Sequence, residues 1–359
     1  MKIFLCECKK MMSFRIFWII FVCLFAINGY VQIDRINDRY YTPESYRSFF
    51  SETKDMSLEE IQDYTNEMLE RQNNGEYIEF PMMLVYDMSE LSKECENYPE
   101  YLNSIKEQTN NMSAVSIWGD SDTFSYRNIQ KTPSAYENLP AEPLPLAASF
   151  GLENTFTSPI TDFMGIFLVF LAVCGIILKD REHGITFLLS SMPKGRSSLI
   201  LSKLFAVSLF ASFVAVMLFA ENLVIGGALY GIGELQRPIQ SVFGFYQCNL
   251  AVSVGEFLLL FFILKIASYL LFAMIFSLIC TVSRNNLMIY GISGAVCTIA
   301  FLCYRLIPQN SVFQLFHDWN PIKFTQTAEI LGTYQNVNLF GYPVSVSYTH
   351  LRAHETRHD

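Results

Sequence analysis

The chain has 359 residues, of which 51% are hydrophobic and only 16% are charged. This composition excludes an ordinary soluble domain and is typical of a membrane protein with a soluble portion. Residues 34–159 carry 23 acidic and 9 basic side chains, whereas the net charge of the whole chain is −9. Because this segment is so acidic, we expect no nucleic-acid partner.

The first residues predict a membrane-associated N-terminus. Residues 1–13 mix apolar side chains with lysines, which predicts a short amphipathic helix on an anionic membrane surface. Residues 14–33 are apolar and long enough to predict a first span. Lys9, Lys10 and Arg15 predict that the N-terminus is cytoplasmic. A cleavable signal peptide is the alternative, but no convincing cleavage site follows this run.

A large segment, residues 34–159, separates the first span from the second. We expect it to form a small extracellular domain that is α+β or mainly α. Ser57 and Glu60 spell a capping box, which predicts that a helix begins there. The turn residues Asn73, Asn74 and Gly75 predict its end.

The rest of this segment gives weaker signals. Pro99 is expected to divide a helical run at residues 89–112 in two. Residues 79–88 fit either a short strand or the start of a helix. Residues 114–118 resemble a strand, and residues 123–146 resemble a surface loop because turn residues are frequent there.

Further apolar runs make the fold class an α-helical integral membrane protein with five predicted spans. The later spans are predicted at residues 160–178, 204–230, 252–282 and 287–304. The segments between and after them are a loop at 179–203, an extracellular loop at 231–251 and an extracellular segment at 305–346. The 179–203 loop has five basic and two acidic residues, which predicts that it is cytoplasmic.

The last residues, 347–359, do not match the composition that precedes them. They resemble translated adapter read-through, so we expect the native chain to continue after Val346 into a sixth span. His354, Glu355 and His358 fit the spelling of a zinc-binding motif. Because no helix is predicted around them and no third ligand follows, we expect no metal site.

Ionisable residues within apolar runs are functional candidates because they are expensive to bury in a bilayer. Glu221 lies near the outer end of the third span, and Lys265 lies in the fourth. One interpretation is that the two side chains pair between helices. The other is that Lys265 extends to the membrane surface and Glu221 is simply interfacial.

The chain lacks the motifs of an enzyme. The fragment at residues 193–198 lacks the glycine and lysine spacing of a phosphate-binding loop, and no nucleophile-elbow motif occurs. We therefore expect no catalytic residues and no cofactor in this chain, so that another polypeptide would supply any ATP-driven step. Cys95 and Cys248 are both predicted to lie outside, and a disulfide between them stays open.

The loop gives a family resemblance. Its residues Glu182, Gly184, Leu188, Leu189, Pro193, Arg196 and Lys203 resemble the pattern with which permeases of the ABC-2 type begin their third span. The resemblance extends to the N-terminal segment, to the large domain after the first span and to residues 338–343, and it covers most of residues 1–346.

The resemblance implies a permease subunit of a bacterial ATP-binding-cassette exporter in the plasma membrane. Such a subunit dimerises with a second permease, identical or not, and docks a separate ATPase that holds ATP and Mg²⁺. The implied docking residues are Glu182, Gly184, Phe187, Leu188, Leu189 and Arg196. The expected substrate is hydrophobic or amphiphilic, such as a peptide, an antibiotic or a lipid. The alternative function is a membrane-anchored receptor or sensor whose acidic domain binds a ligand.

Overall fold

The computed structural model describes residues 2–37, 40–114, 123–182, 195–283, 285–307, 316–317, 319–339 and 341–345. The chain divides into two compact units. The first unit comprises Met1–Val31, Thr157–Asn222 and Leu260–Thr327. The second unit comprises Gln32–Phe156, Leu223–Leu259 and Ala328–Asp359.

The described residues are mainly helical. The helices before the third span are α1 (Lys2–Met12), α2 (Arg15–Asn37), α3 (Pro43–Glu52), α4 (Leu58–Asn73), α5 (Met82–Glu96), α6 (Tyr98–Ala114), α7 (Phe124–Lys131), α8 (Phe150–Phe156), α9 (Pro159–Val173) and α10 (Lys179–Glu182). The later helices are α11 (Gly195–Tyr230), α12 (Val254–Val282), α13 (Asn286–Leu306), α14 (Pro321–Thr325) and α15 (Thr327–Gly332).

Short elements complete the fold. One turn of π-helix, Cys174–Leu178, joins α9 to α10, and 3₁₀ turns lie at Pro133–Tyr136 and Ile239–Ser241. Strands β1 (Asn336–Leu339) and β2 (Tyr342–Ser345) form an antiparallel hairpin. Gly341 has a φ of 87° at its turn, a conformation that glycine adopts without steric cost.

The prediction of five spans is confirmed. Within the described residues, five helical segments are long and apolar enough to cross a membrane: Arg15–Arg35, Pro159–Leu178, Ser197–Tyr230, Val254–Val282 and Asn286–Leu306. The shortest has 20 residues, which at about 1.5 Å per residue covers the roughly 30 Å hydrocarbon core of a bilayer.

The core of the first unit lies where four spans meet. Phe17 of α2, Leu168 of α9, Val214 of α11 and Phe272 of α12 are fully buried in one cluster. Because lipid tails are as apolar as these side chains, close packing rather than escape from water holds such helices together.

The second unit confirms the predicted ends of its helices. Ser57 Oγ accepts from the amide of Glu60, and the Glu60 carboxylate accepts from the amide of Ser57, so α4 begins with a capping box. α4 ends at Asn73, as predicted. Pro99 lies in the first turn of α6, where a missing amide proton is tolerated, and it separates α6 from α5.

In the rest of this segment, the structure decides one open alternative and corrects one prediction. Residues 79–88 contain the start of helix α5, which buries Leu84, Val85 and Met88 at helical spacing and so excludes a strand. Residues 124–131 form helix α7 rather than surface loop, because Thr123 caps its first turn. The strand predicted at residues 114–118 begins at Ala114, which is the last residue of α6, and residues 115–118 lie outside the described part.

The structure shows no disulfide between Cys95 and Cys248. Cys95 and Cys248 are both free and buried. Burial raises the pKa of each thiol to about 12, so both stay protonated at neutral pH. The Cys248 thiol lies 3.3 Å from the Leu331 carbonyl oxygen, to which it donates.

The predicted loop at 179–203 is also shorter than expected. Residues 179–182 continue the second span as α10, and α11 begins at Gly195, two positions after Pro193 in the sequence. The short helix that the sequence predicts at 186–191 lies outside the described residues. The tail from residue 346 onward lies outside them as well.

Candidate functional site

An ionic network joins three elements of the first unit beside the 183–194 segment. It consists of Glu7 and Lys10 on α1, Asp180 on α10 and Lys203 on α11. Lys10 Nζ lies 2.5 Å from Glu7 Oε2 and 2.8 Å from Asp180 Oδ1. Lys203 Nζ lies 2.5 Å from the other Asp180 oxygen, Oδ2. Asp180 is therefore the centre of the network, with one cation on each oxygen.

The network is well covered and its charges balance. The side chains of Glu7, Asp180 and Lys203 are 8%, 7% and 10% exposed, and that of Lys10 is 23% exposed. Two carboxylates face two ammonium groups, so no charge is left uncompensated. Burial alone would raise the pKa of Asp180, but hydrogen bonds and charges from Lys10 and Lys203 outweigh it and lower the pKa.

The backbone of the π-helical turn takes part in the network. Lys10 Nζ also donates to the carbonyl oxygen of Ile176 at 2.9 Å. A π-helical turn shifts the register of the backbone hydrogen bonds, and such turns are frequent at functional sites. Packing is tight here, because a Cβ on Gly175 would collide with the ring of Phe14. The start of the chain is thus fixed to the end of the second span.

A second charged site lies within the spans of the same unit. Lys265 Nζ of α12 lies 2.5 Å from Asp162 Oδ1 of α9, and it donates to the Thr325 carbonyl oxygen at 2.6 Å. The two charged side chains are 12% and 6% exposed. Gln326 Nε2 lies 3.4 Å from the other Asp162 oxygen. The ionic partner of Lys265 is therefore Asp162, not Glu221.

Glu221 belongs to a third polar cluster. Asn28 of α2 donates through Nδ2 to Glu221 Oε2 and to Asn222 Oδ1, both at 2.8 Å. Its Oδ1 accepts from Thr161 Oγ1 of α9 at 2.6 Å. Asn28 is fully buried, and its hydrogen bonds join the first span to the second and the third. In an apolar surrounding, such hydrogen bonds fix the rotation of each helix against its neighbours.

The structure places only part of the predicted docking segment. Glu182 is the last residue of α10, and Arg196 is the second residue of α11. Gly184, Phe187, Leu188 and Leu189 lie outside the described residues, so their proposed docking role stays a prediction.

Several residues of these sites were not predicted from the sequence. Asp162, Asp180 and Asn28 each lie within or directly beside a predicted span, where polar side chains are rare. That rarity was an available signal. Glu7 and Lys10 are three positions apart, a spacing that places two side chains side by side on a helix. No local pattern predicts that Lys10 also contacts Asp180 on another helix.

The comparisons with known proteins agree with this architecture. A family model described as "ABC-2 family transporter protein" matches residues 1–346. Among the curated proteins and the solved structures, no match to the chain was found.

Proposed function

The chain belongs to the ABC-2 transporter family, and we propose that it moves a hydrophobic or amphiphilic substrate across a bacterial plasma membrane, driven by a separate ATPase. In this proposal a peptide, an antibiotic or a lipid is the substrate, and a second permease subunit completes the pathway. ATP and Mg²⁺ bind only to the ATPase subunit. The acidic segment, residues 34–159, forms an extracellular domain in this proposal.

The ionic network is the observation that carries the proposal. Asp180 stands three residues before the 183–194 segment, and Lys203 stands nine residues after it. Asp180 and Lys203 form an ion pair, and Asp180 forms a second ion pair with Lys10 of α1. A partner that pushes on this segment would thus move α1, the second span and the third span together. Mechanical coupling of ATP hydrolysis to the spans requires such a connection.

The basic residues support the proposed orientation. Lys9, Arg15 and Lys179 all lie where the first span begins or the second ends, and no carboxylate in the described residues pairs with them. An excess of unpaired lysine and arginine marks the cytoplasmic side of a membrane protein.

The fifth span, the least buried of the five, offers an apolar surface to lipid or to the second permease subunit.

Copurification tests the docking role. The tagged chain is coexpressed with a candidate nucleotide-binding subunit from its genomic neighbourhood, and we expect the two to copurify. Leu188→Asp and Leu189→Asp should each abolish copurification, because a charge on an apolar docking face must be desolvated without a partner. Met56→Asp, an exposed apolar position in the second unit, is the matched control and should leave it unchanged.

Two outcomes would contradict the proposal. If both leucine variants copurify as well as the control, the segment is not the docking element. If the wild-type chain captures no ATPase and no nucleotide-binding subunit is encoded nearby, the receptor or sensor function is favoured instead.

A further inference from the structure

A cavity of about 440 Å³ opens beside the turn between α1 and α2 in the first unit. Its lining comes from three places: the α1–α2 turn with Phe14 and Arg15, the π-helical turn with Lys179, and Tyr290 of α13. The first span begins at Arg15, the second ends at Leu178, and the fifth begins at Asn286. The cavity therefore lies at the depth where the hydrocarbon core meets the headgroups.

The charges around this cavity have one sign. Among the described residues, Arg15 and Lys179 line it, and no carboxylate does. In the described part of the chain, neither cation lies within ion-pair distance of an acidic side chain. Asp180, the residue after Lys179, has both oxygens occupied by Lys10 and Lys203. The carboxylate that follows Lys179 in the chain is thus already neutralised by other cations.

The positions of these cations are set by packing. Lys179 Nζ lies 5.1 Å above the ring of Phe14, within the range of a cation–π interaction. Arg15 begins α2 directly after this ring, and its amide donates to the Ser13 carbonyl oxygen at 3.0 Å. A guanidinium suits bidentate binding of phosphate oxygens, and an ammonium adds a point charge.

The surface next to the cavity is apolar. Ile16 and Ile19 of α2 are 60% and 63% exposed, and Leu287, three residues before Tyr290, is 76% exposed. A ligand that places phosphate between the two cations would therefore lay its apolar part along these side chains. A soluble phosphate would use the cations but would gain nothing from the apolar flanks.

We propose that this cavity is a binding site for the phosphate of an anionic phospholipid, held by Arg15 and Lys179 with its acyl chains along α2. Basic pockets between spans at the membrane surface are suited to such headgroups. The site does not depend on transport or on an ATPase. The lipid would bridge the ends of the first and second spans and the start of the fifth.

Lipid binding to the purified full-length chain tests the proposal. Delipidated protein in a neutral detergent is titrated with phosphatidylglycerol or with phosphatidylcholine, and bound lipid is counted by native mass spectrometry. At about 1 kcal/mol for each of the two cations near the ligand, phosphatidylglycerol should bind the wild type about 30-fold more tightly than phosphatidylcholine. This preference should weaken as sodium chloride is added.

Two variants distinguish lipid binding in the cavity from general electrostatic attraction to the basic surface. Arg15→Gln with Lys179→Gln should remove the preference, whereas Lys9→Gln, which removes an exposed cation outside the cavity, should retain it. Because neither lining cation has an ionic partner to lose, the double variant should elute as the wild type does in size-exclusion chromatography. A preference that survives the double substitution, or that Lys9→Gln reduces equally, overturns the proposal. If millimolar inorganic phosphate displaces the lipid, the cavity is a site for free phosphate rather than for a phospholipid, and the proposal is wrong.

Discussion

Replacing Asp180 by asparagine tests whether the ionic network stabilises the first unit. Asp180 contacts two ammonium groups, at 2.8 Å and 2.5 Å, and its side chain is only 7% exposed. Removing one partner of a buried ion pair costs about 3–5 kcal/mol, since the remaining charge is left without compensation. Among the described residues, Lys203 would lose the one carboxylate that it contacts, whereas Lys10 keeps Glu7.

We therefore expect a loss at the lower end of that range, about 3 kcal/mol. This equals roughly a 100-fold change in the unfolding equilibrium constant. The assay is unfolding of the detergent-solubilised protein, followed as the free energy of unfolding or as Tm. Asp180→Asn combined with Lys203→Met should cost less than the sum of the two single variants, with a coupling of about 2 kcal/mol, because the double variant leaves no unpaired ammonium.

The pH dependence gives an independent check. The pKa of Asp180 is lower in the folded protein than in an unfolded chain, so ionisation of this group stabilises the fold above the unfolded pKa of about 4. That contribution is lost as the pH falls below about 4 and through the folded pKa. We expect the wild type to lose more stability than Asp180→Asn over this range.

An exposed ion pair supplies the control. Arg71 and Glu76 are 3.2 Å apart, with side chains 49% and 56% exposed. Arg71→Met should change stability little, because water screens such a pair. The reasoning is refuted if Asp180→Asn is as stable as the wild type, if the single costs add in the double variant, or if both proteins show the same pH profile.

Two further substitutions test a buried ion pair in the first unit and a close backbone contact in the second. Lys265→Met should lower the Tm because it leaves the buried Asp162 carboxylate without an ionic partner, and adding Asp162→Leu should restore part of the loss; no recovery would show that the pair is not the cause. Gly226→Ala should cost about 1–3 kcal/mol, since its Cβ would collide with the Gly151 carbonyl group, whereas Gly291→Ala, with nothing within 4 Å, should be neutral in the same thermal assay; equal effects would contradict the close approach.

Local signals predicted the ends of elements well. The Ser57/Glu60 capping box, the break at Pro99 and the five spans are confirmed, because each depends on side chains a few positions apart. The α5 segment was ambiguous because its apolar run is too short to distinguish a strand from a helix by period. Only its packing against other helices shows which side chains are buried.

The candidate sites were predicted less completely. Lys265 was recognised as an intramembrane charge, but its partner Asp162 lies 103 positions away along the chain. Glu221 was recognised too, yet its contact is Asn28, 193 positions away. An apolar run fixes the approximate depth of a residue in the membrane, but it does not fix the rotation of the helix or its neighbours.

The sequence by itself determined that this is a multi-pass membrane protein with five apolar spans and a charged segment after the second. Apolar length and charge bias are properties of the chain, and they act without tertiary contacts. Only the tertiary structure decided that Asp180 joins Lys10 to Lys203, and that Lys265 faces Asp162. Such pairs form when packing brings distant helices together at one angle, and the energetic need to neutralise a buried charge then selects the partner.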